Sequence, residues 1–463
     1  MNTPSDAQRS FIAVNRFGLG AYLGDKSLTD PKAWLLAQFK AYEPQPAAMA
    51  DLPSSANIFT TYREDSAEIR AMPEAQRAEA RNELRKRGQK LYQDEVAARA
   101  TSALNGLTPF VERLVHFWAN HFAISADEPM IVAMAGSFER EAIRPNVLGR
   151  FEDMLFAVEK HPAMLMYLNQ NRSIGPNSVR AKRVAEKDPS RKPGINENLA
   201  REILELHTLG VRTGYSQNDV TQFAFAMTGW SIVGQDGNDD DASPGLFEFK
   251  QQLHEPGSRT IMGKTYDQLG LDQAETVLRD VARSEATATH IATKLARHFV
   301  ADSPPDSLVQ RLKSAYLDSG GNLPTVYRAL IDAPEAWDPT AAKFKTPWEW
   351  SLSALRAVGA SPDVTATTAE LARQLGQPVW RPQAPAGYDD VAASWAAPDA
   401  LVRRVEVAQR LARKTDPSLD ARVAAGELLG PSLSKTTATE IARAESPATA
   451  VALLLVSPEF QRR

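Results

Sequence analysis

The sequence predicts a mainly α, multi-helical globular protein with one small β-hairpin insertion. Three observations support this fold class. Apolar residues recur with a helical period through most of the 463 residues, and capping residues precede many of these segments. Only one stretch shows a convincing strand pattern. No stretch reaches the eighteen or so apolar residues that a membrane span requires.

The chain divides into three predicted parts. Residues 1–235 form an N-terminal helical region that carries the polar motif helices. Residues 236–270 contain an acidic loop and the hairpin, and residues 271–463 form a C-terminal helical region that packs on the first. The predicted helices span residues 6–16, 30–41, 74–106, 108–124, 196–210, 216–228, 272–282, 286–301, 305–318, 323–333, 347–358, 366–375, 399–413, 417–428 and 447–460, with two more between 133 and 171.

The strand pattern and one basic stretch lie outside these helices. Residues 246–250 and 260–262 are predicted to pair as a hairpin, with His254 near its turn. Residues 172–194 combine many Arg and Lys with Ser, Gly and Pro, which predicts a long mobile loop.

Composition excludes several classes of protein. The formal net charge is only −4, which predicts no nucleic-acid partner. The absence of cysteine excludes disulfides, thiolate metal sites and cysteine nucleophiles. The segment Met1–Asp6 lacks the pattern of a signal peptide, so we expect a cytoplasmic protein, or a periplasmic one if a leader has been removed.

The helix at 196–210 is the first candidate for a functional site. At about 100° per residue, an apolar stripe faces the core, yet His207 projects from that side. Glu202 lies on the shoulder of the stripe, where a carboxylate needs a partner or acquires a raised pKa. The opposite arc is a polar or solvated face that includes Asn198, Arg201 and Glu205.

The helix at 108–124 is the second candidate. His121 lies within its broad apolar face, and Asn120 lies on its polar face. A histidine in such a position is typical of a neutral core residue, but histidine is also the usual acid/base group and metal ligand. His290 and His298 have the pattern of ordinary helix residues.

If the two helices pack together, His121, His207 and Glu202 converge on one buried pocket. Two imidazoles and a carboxylate form a ligand set for a divalent metal ion, zinc or iron. His254 completes this set if the hairpin folds over the helix. The spacing matches neither His-Glu-x-x-His nor the Glu-x-x-His pairs of di-iron bundles.

Several motifs resemble a known family along nearly the full chain. They are Asn15–Gly20, Phe117–Phe122, Ile143–Pro145, His161–Leu165, Asn196–Gly210, Thr228–Trp230, Lys345–Pro347 and Leu453–Phe460. Together they resemble the bacterial domain-of-unknown-function 1800 family. The resemblance brings no established activity. It implies a periplasmic or envelope pathway shared with an alkaline-phosphatase-like protein, which is often encoded by a neighbouring gene.

The chain departs from the family pattern at two positions. Asn169 stands where the family tends to have aspartate, which argues against a metal or acid role there. Gly387-Tyr388 stands where Gly-Trp is expected, so an aromatic ring is kept and the indole donor is lost.

The leading hypothesis is an enzyme with a buried His/Glu/Arg site between helices 108–124 and 196–211. Metal-dependent oxidation or hydrolysis is the reaction class we expect. The candidate catalytic residues are Glu202, Arg201, Glu205, Asn198 and Asn120, and the candidate metal ligands are His121, His207, Glu202 and His254.

Two alternatives remain open. In the first, the protein is a helical binding or scaffold protein, and the same polar residues form a structural network. In the second, it binds or cleaves a glycan. Glu202 and Glu205 would then be the acid/base pair, although adjacent turns of one helix place two carboxylates poorly around a scissile bond. The tryptophans expected to stack on sugar rings are Trp348, Trp350, Trp380 and Trp395.

Overall fold

The structure, a computed structural model, describes residues 4–190, 193–236, 243–359 and 365–463. It confirms the mainly α fold class, with two small antiparallel sheets. The predicted acidic loop lies largely outside the described residues. No helix within the described ranges is both long and apolar enough to cross a bilayer.

The first half of the chain is built almost entirely of helices. Several of them begin with proline directly after the cap, where its missing N–H leaves no bond unmade. Their bounds are α1 (Asp6–Ile12), α2 (Pro31–Ala41), α3 (Ser55–Ala71), α4 (Glu74–Asn105), α5 (Pro109–His121), α6 (Pro129–Phe138), α7 (Phe151–Glu159), α8 (Pro162–Tyr167), α9 (Val179–Lys187), α10 (Asn198–Glu202) and α11 (Gln217–Met227).

The second half follows the same plan. Thr346 and Glu349 form a capping box at the helix that begins with Pro347, because each side chain accepts a backbone N–H of the other residue. The bounds are α12 (Leu271–Ala282), α13 (Glu285–Phe299), α14 (Asp306–Ser319), α15 (Leu323–Asp332), α16 (Pro347–Ala357), α17 (Thr365–Gln374), α18 (Ala392–Trp395), α19 (Pro398–Ala412), α20 (Ala421–Leu429), α21 (Lys435–Ala442) and α22 (Pro447–Val456).

The predicted pairing of 246–250 with 260–262 is wrong. The strand β2 (Phe247–Phe249) pairs with β1 (Trp230–Ile232), and β3 (Arg259–Ile261) pairs with β4 (Lys264–Tyr266). The reason is the turn Met262-Gly263, in which both residues have positive φ, +50° and +79°. Such a two-residue turn closes a tight hairpin between its own flanking strands.

Two helical features depart from the predictions. The predicted mobile loop at 172–194 contains α9, whose first turn is capped by Ser178. The predicted helix at 196–210 is α10 followed by a π-helical turn, Ile203–His207. A wheel drawn at 100° per residue places the side chains of a π-helical turn incorrectly, since such a turn has a wider spacing.

A shared hydrophobic core joins the two halves. The ring of Phe299 in α13 packs on Phe17 and Phe110, with centroids 5.8 and 5.7 Å away. The indole of Trp118 in α5 donates a hydrogen bond to the hydroxyl of Tyr327 in α15, at 2.6 Å. These contacts hold α5 against α13, and the candidate site lies beside this junction. The three-part division of the chain stays a prediction.

Candidate active site between α5, α13 and α16

The helix α13 presents a polar stripe to a cavity of about 510 Å³. The opposite side of α13 is apolar and buried in the core, at Ile291, Leu295 and Phe299. Because residues spaced by three and four share one helical face, the stripe is continuous along more than two turns. It consists of His290, Thr293, Lys294, Arg297 and His298.

Three other parts of the chain form most of the remaining cavity wall, to which Arg99 of α4 and Val211 also belong. Helix α5 contributes its last turns, α16 contributes its first turn, and the irregular segment 377–391 covers the side facing them. The side chains that determine the chemistry of these walls are His116, Asn120 and His121 from α5, Trp348 and Glu349 from α16, and Tyr388 and Asp390 from the covering segment.

His298 is oriented by a carboxylate. Its Nδ1 lies 2.7 Å from Oδ2 of Asp390, so Nδ1 carries the hydrogen when the ring is neutral. Its Nε2 is buried and has no hydrogen-bond partner among the described residues. Burial lowers the pKa of His298, although Asp390 opposes this shift. The ring is therefore a neutral base with a lone pair on Nε2, and this atom lies 4.0 Å from Oε1 of Glu349.

His121 and His290 both hold the end of the π-helical turn. Nε2 of His121 lies 3.1 Å from the carbonyl oxygen of His207, and Nε2 of His290 lies 3.1 Å from that of Leu206. Each Nε2 therefore donates, and each Nδ1 carries a lone pair. Burial and the charge of Lys294 lower both pKa values, that of His290 to about 4 and that of His121 well below its usual range.

His116 has the opposite tautomer. The indole of Trp348 donates from Nε1 to Nδ1 of His116 at 3.2 Å, so Nε2 of His116 carries the hydrogen. That Nε2 is buried and has no partner in the described part of the chain. Burial lowers the pKa of His116 well below its usual value. The cavity thus has a neutral N–H donor as well as neutral acceptors.

Lys294 is one of the cations of the cavity wall. Its ammonium makes no hydrogen bond or ion pair with any residue that the structure describes. Burial lowers its pKa to about 8, Asp390 raises it, and Arg297 lowers it. Arg297 donates from Nε to the carbonyl of Asp302 at 3.1 Å. Two cationic side chains one turn apart therefore face the same space.

A buried carboxylate lies beneath the imidazoles. Glu349 pairs with Arg113, and Nε of Arg463 donates to its Oε2 at 3.2 Å. Burial acts to raise the pKa of Glu349, but the charges of Arg463 and Arg113 hold it far below its usual range. Glu349 is consequently ionised and fully engaged, which makes it a fixed charge and not a proton carrier.

One family model matches nearly the whole chain. The model described as "protein of unknown function (DUF1800)" matches residues 12–462. The chain belongs to the DUF1800 family. No curated protein matches it, and no solved structure matches it. The resemblance carried by the motifs is therefore confirmed over nearly the whole DUF1800 chain.

His121 and His207 lie close together, but their rings make hydrogen bonds to different partners. Their ring centroids are 6.4 Å apart. Nδ1 of His207 lies 2.7 Å from Oε1 of Glu159, and neither side chain has any exposed surface. Glu202 is half-buried near His207, and burial raises its pKa. Only His121 of these residues lines the cavity. The sequence gives no reason to single out Glu159, because it is the last residue of an ordinary amphipathic helix.

The remaining residues of the 196–210 motif make a polar contact with α11. Arg201 donates to Glu197 at 3.2 Å and to Gln217 at 2.9 Å. Glu205 is hydrogen-bonded to the hydroxyl of Tyr215. Asn198 is exposed, and its backbone N–H is capped by the side chain of Asn196. As candidate catalytic residues, Arg201, Glu205 and Asn198 stay predictions.

Asn120 is a clamp for the covering segment. Its Nδ2 donates to the carbonyl of Tyr388, and its Oδ1 accepts the N–H of Tyr388, both at 2.8 Å. The neighbouring Gly387 passes so close that a Cβ there would lie 2.3 Å from the backbone oxygen of Asn120. This close approach explains the glycine of the family motif. The hydroxyl of Tyr388 donates to the carbonyl of Pro378 at 2.5 Å.

His254 and Asn169 lie elsewhere in the fold. Nδ1 of His254 lies 2.9 Å from the carbonyl oxygen of Thr228, and its ring packs on Phe249. Asn169 has a left-handed backbone, with φ of +56°. Asn and Asp both tolerate that conformation, which gives the family preference a backbone reason.

The predicted metal ligands do not form a metal-binding cluster in the described part of the chain. Within the described ranges, no group of three or more His, Cys, Asp or Glu side chains is arranged to hold a metal ion. His121, His207 and Glu202 are neighbours, but hydrogen bonds direct the two imidazoles to a backbone carbonyl and to Glu159. Zinc or iron binding therefore stays a prediction without support from this geometry.

Proposed function

We propose that this DUF1800 protein is an enzyme that binds a small anionic molecule in the α13 cavity. The neutral imidazoles of the cavity then transfer a proton to or from it. The observation that carries this proposal is the His298–Asp390 pair, which lines the same cavity as Lys294, an ammonium without a hydrogen-bond or ion-pair partner among the described residues. The proposed site thus lies on the α13 side of α5, and not between α5 and the 196–210 segment.

The charges of the cavity favour an anion. The cationic side chains of Lys294 and Arg297 line the cavity, while Glu349 is paired with Arg113 and Asp390 with Lys343. The third lining carboxylate, Asp389, accepts a hydrogen bond from Ser394. A negatively charged group would therefore complete the hydrogen bonding of the wall. The volume of about 510 Å³ suits a small molecule.

The imidazoles supply acid/base chemistry. An ionised carboxylate on Nδ1 fixes the tautomer and ring position of a histidine, and it stabilises the imidazolium that forms when Nε2 takes a proton. Asp390 fulfils this role for His298. His116 presents an N–H to the same cavity, and it would stabilise an oxygen that gains negative charge.

The test is conversion of a metabolite. Purified protein is incubated with a metabolite extract, and mass spectrometry follows which anionic compounds are consumed. We expect at least one compound to disappear with the parent protein and to persist with His298→Gln. The matched control is His161→Gln, which alters a histidine bonded to Glu141 away from the cavity. Conversion that continues in a folded His298→Gln variant, or no conversion by the parent, would overturn the proposal.

The scaffold and glycan hypotheses predict different observations. A scaffold protein would show no conversion, and the polar atoms of the cavity would serve only packing. For the glycan hypothesis, Trp348, Trp350, Trp380 and Trp395 are all buried, each with less than a tenth of its surface exposed. Trp348 and Trp380 line the cavity, whereas Trp350 and Trp395 do not, so a sugar ring would reach an indole at these positions only inside the cavity.

Three finer predictions remain proposals with direct tests. Elemental analysis of protein purified without chelator tests for a bound divalent metal ion. Near-stoichiometric zinc or iron would support the predicted metal site. A pull-down with the alkaline-phosphatase-like product of the neighbouring gene tests that partner. A fractionation experiment on the source cells decides between cytoplasm and periplasm.

A further inference from the structure

We infer that Lys294 forms an imine with a carbonyl substrate that carries a carboxylate or phosphate group. This inference rests on the proposed function and specifies its substrate class. The observation behind it is the position of Lys294 at the centre of the α13 stripe, four residues from both His290 and His298 and three from Arg297.

The surroundings of Lys294 match what a nucleophilic amine requires. An amine attacks a carbonyl carbon only in its neutral form, and lysines with this role are held in partly desolvated cavities near other cations. Lys294 has no carboxylate bonded to its ammonium among the described residues, and Arg297 lies one turn away. The lowered pKa, about 8, agrees with this geometry.

The anionic group of the substrate has its own place. Arg297 uses Nε for the carbonyl of Asp302, and its terminal nitrogens have no partner in the described part of the chain. These nitrogens form a fork that suits a carboxylate or a phosphate. A substrate held there by its anionic end would present a nearby carbonyl group to the neighbouring amine.

The proposed step balances without any oxidant or reductant. The nitrogen of Lys294 bonds to the carbonyl carbon, and the carbonyl electron pair moves to oxygen. A proton passes from nitrogen to a neutral imidazole, and then to that oxygen. The remaining proton of the nitrogen passes by the same imidazole to the hydroxyl, the C–O bond breaks with loss of water, and the nitrogen electron pair forms the C=N bond of a neutral imine. His121 and His290 are near enough for the charge of Lys294 to lower their pKa. Nδ1 of His290 lies against Gly210, whereas Nδ1 of His121 has no hydrogen-bond partner among the described residues and is the acceptor for this proton.

The test is reductive trapping with defined probes. The full chain is incubated with pyruvate, with dihydroxyacetone phosphate or with uncharged acetone, and sodium borohydride is then added to reduce any imine. Mass spectrometry of peptides locates the adduct. We expect pyruvate or dihydroxyacetone phosphate to label Lys294 at least about tenfold more than any other lysine, and acetone to label it weakly, since it lacks the anionic group.

Three variants sharpen the result. Lys294→Arg keeps the charge and should lose the adduct, while Lys313→Arg, on the neighbouring α14, should label as the parent does. Arg297→Gln should reduce labelling by the anionic probes about tenfold and leave labelling by acetone unchanged. Circular dichroism checks that each variant is folded.

The outcomes separate this inference from the proposed function. Labelling spread over surface lysines, or no adduct at Lys294 with any probe, overturns the imine. If a metabolite is still converted in a His298-dependent way, the enzyme proposal survives that result. An adduct at Lys294 without conversion of any metabolite supports the reactive amine and overturns the proton-transfer function.

Discussion

The pairs His207–Glu159 and His298–Asp390 have the same nitrogen–oxygen distance, 2.7 Å, and different surroundings. The first pair has no exposed surface, and its imidazole packs against Phe122. In the second pair the side chains are 10% and 22% exposed, and both line the cavity. A histidine–carboxylate pair is therefore not in itself a sign of catalysis. Access to a ligand distinguishes a structural pair from a chemical one.

The largest expected effect on stability is at the pair His207–Glu159, which has no exposed surface. His207→Leu leaves the carboxylate of Glu159 buried without its partner, and we expect the free energy of unfolding to fall by roughly 3 kcal/mol or more. Urea denaturation measures this loss. The double variant with Glu159→Leu should recover most of it, because two apolar side chains need no partner. A loss below about 1 kcal/mol in the single variant would show that the pair is not a structural element.

At the cavity pair, His298–Asp390, we expect a smaller loss of stability and a large loss of turnover. Asp390→Asn keeps the shape of the side chain but removes its charge from His298 and Lys343. We expect a cost of about 1–2 kcal/mol in unfolding free energy. Under the proposed function, turnover falls by about 10²-fold or more, because the tautomer of His298 is no longer fixed. A variant that loses stability and keeps turnover would place both pairs in the same structural class.

A pH experiment separates the cavity histidines further. The pKa of His290 is about 4 in the folded protein, and that of an unfolded histidine is about 6.5. Between these values the unfolded chain binds more protons, so the stability contributed by neutral His290 is present above pH 6.5 and is lost as the pH falls towards 4. His290→Gln can keep the bond to Leu206 and should flatten this decline. Equal slopes of thermal midpoint against pH in the two proteins would contradict the assignment.

The smallest effect is expected at the motif that looks most functional in the sequence. Arg201 makes a partly exposed contact with Glu197 and Gln217, and such contacts contribute little. Arg201→Ala should therefore cost less than about 0.5 kcal/mol and leave metabolite conversion intact. If this folded variant loses metabolite conversion, the functional site lies at the 196–210 segment and not at the α13 cavity.

The fold is largely predictable because its signals are local. Helices such as α5, α13 and α16 have an apolar stripe, a capping residue and often an initial proline, all within a few positions. The strand pairing is not predictable in the same way. The pattern at 246–250 identifies a strand, but its partner β1 precedes it across a loop, and the turn at Met262-Gly263 lacks the Asn-Gly or Asp-Gly pair that marks most tight hairpins.

The site is only partly predictable for a related reason. His121 can be found because it interrupts an apolar face. The polar stripe of α13 does not stand out in the sequence. The apolar residues Ile291, Leu295 and Phe299 are enough to predict an ordinary amphipathic helix. Its spacing of three and four residues is the one signal that it offers. Asp390 could not be found, because it lies in an irregular segment 92 positions from His298.

The clamp between Asn120 and Tyr388 has a consequence for the order of folding. It joins positions 268 residues apart, so the chain must close a very long loop before the cavity has its last wall. Helices form early and from local contacts, whereas this wall depends on the late docking of segment 377–391. Local release of that segment would open the cavity while α5 and α13 stay folded. Amide hydrogen exchange should accordingly be faster at Tyr388 than in either helix, and the same opening would let a ligand enter and leave.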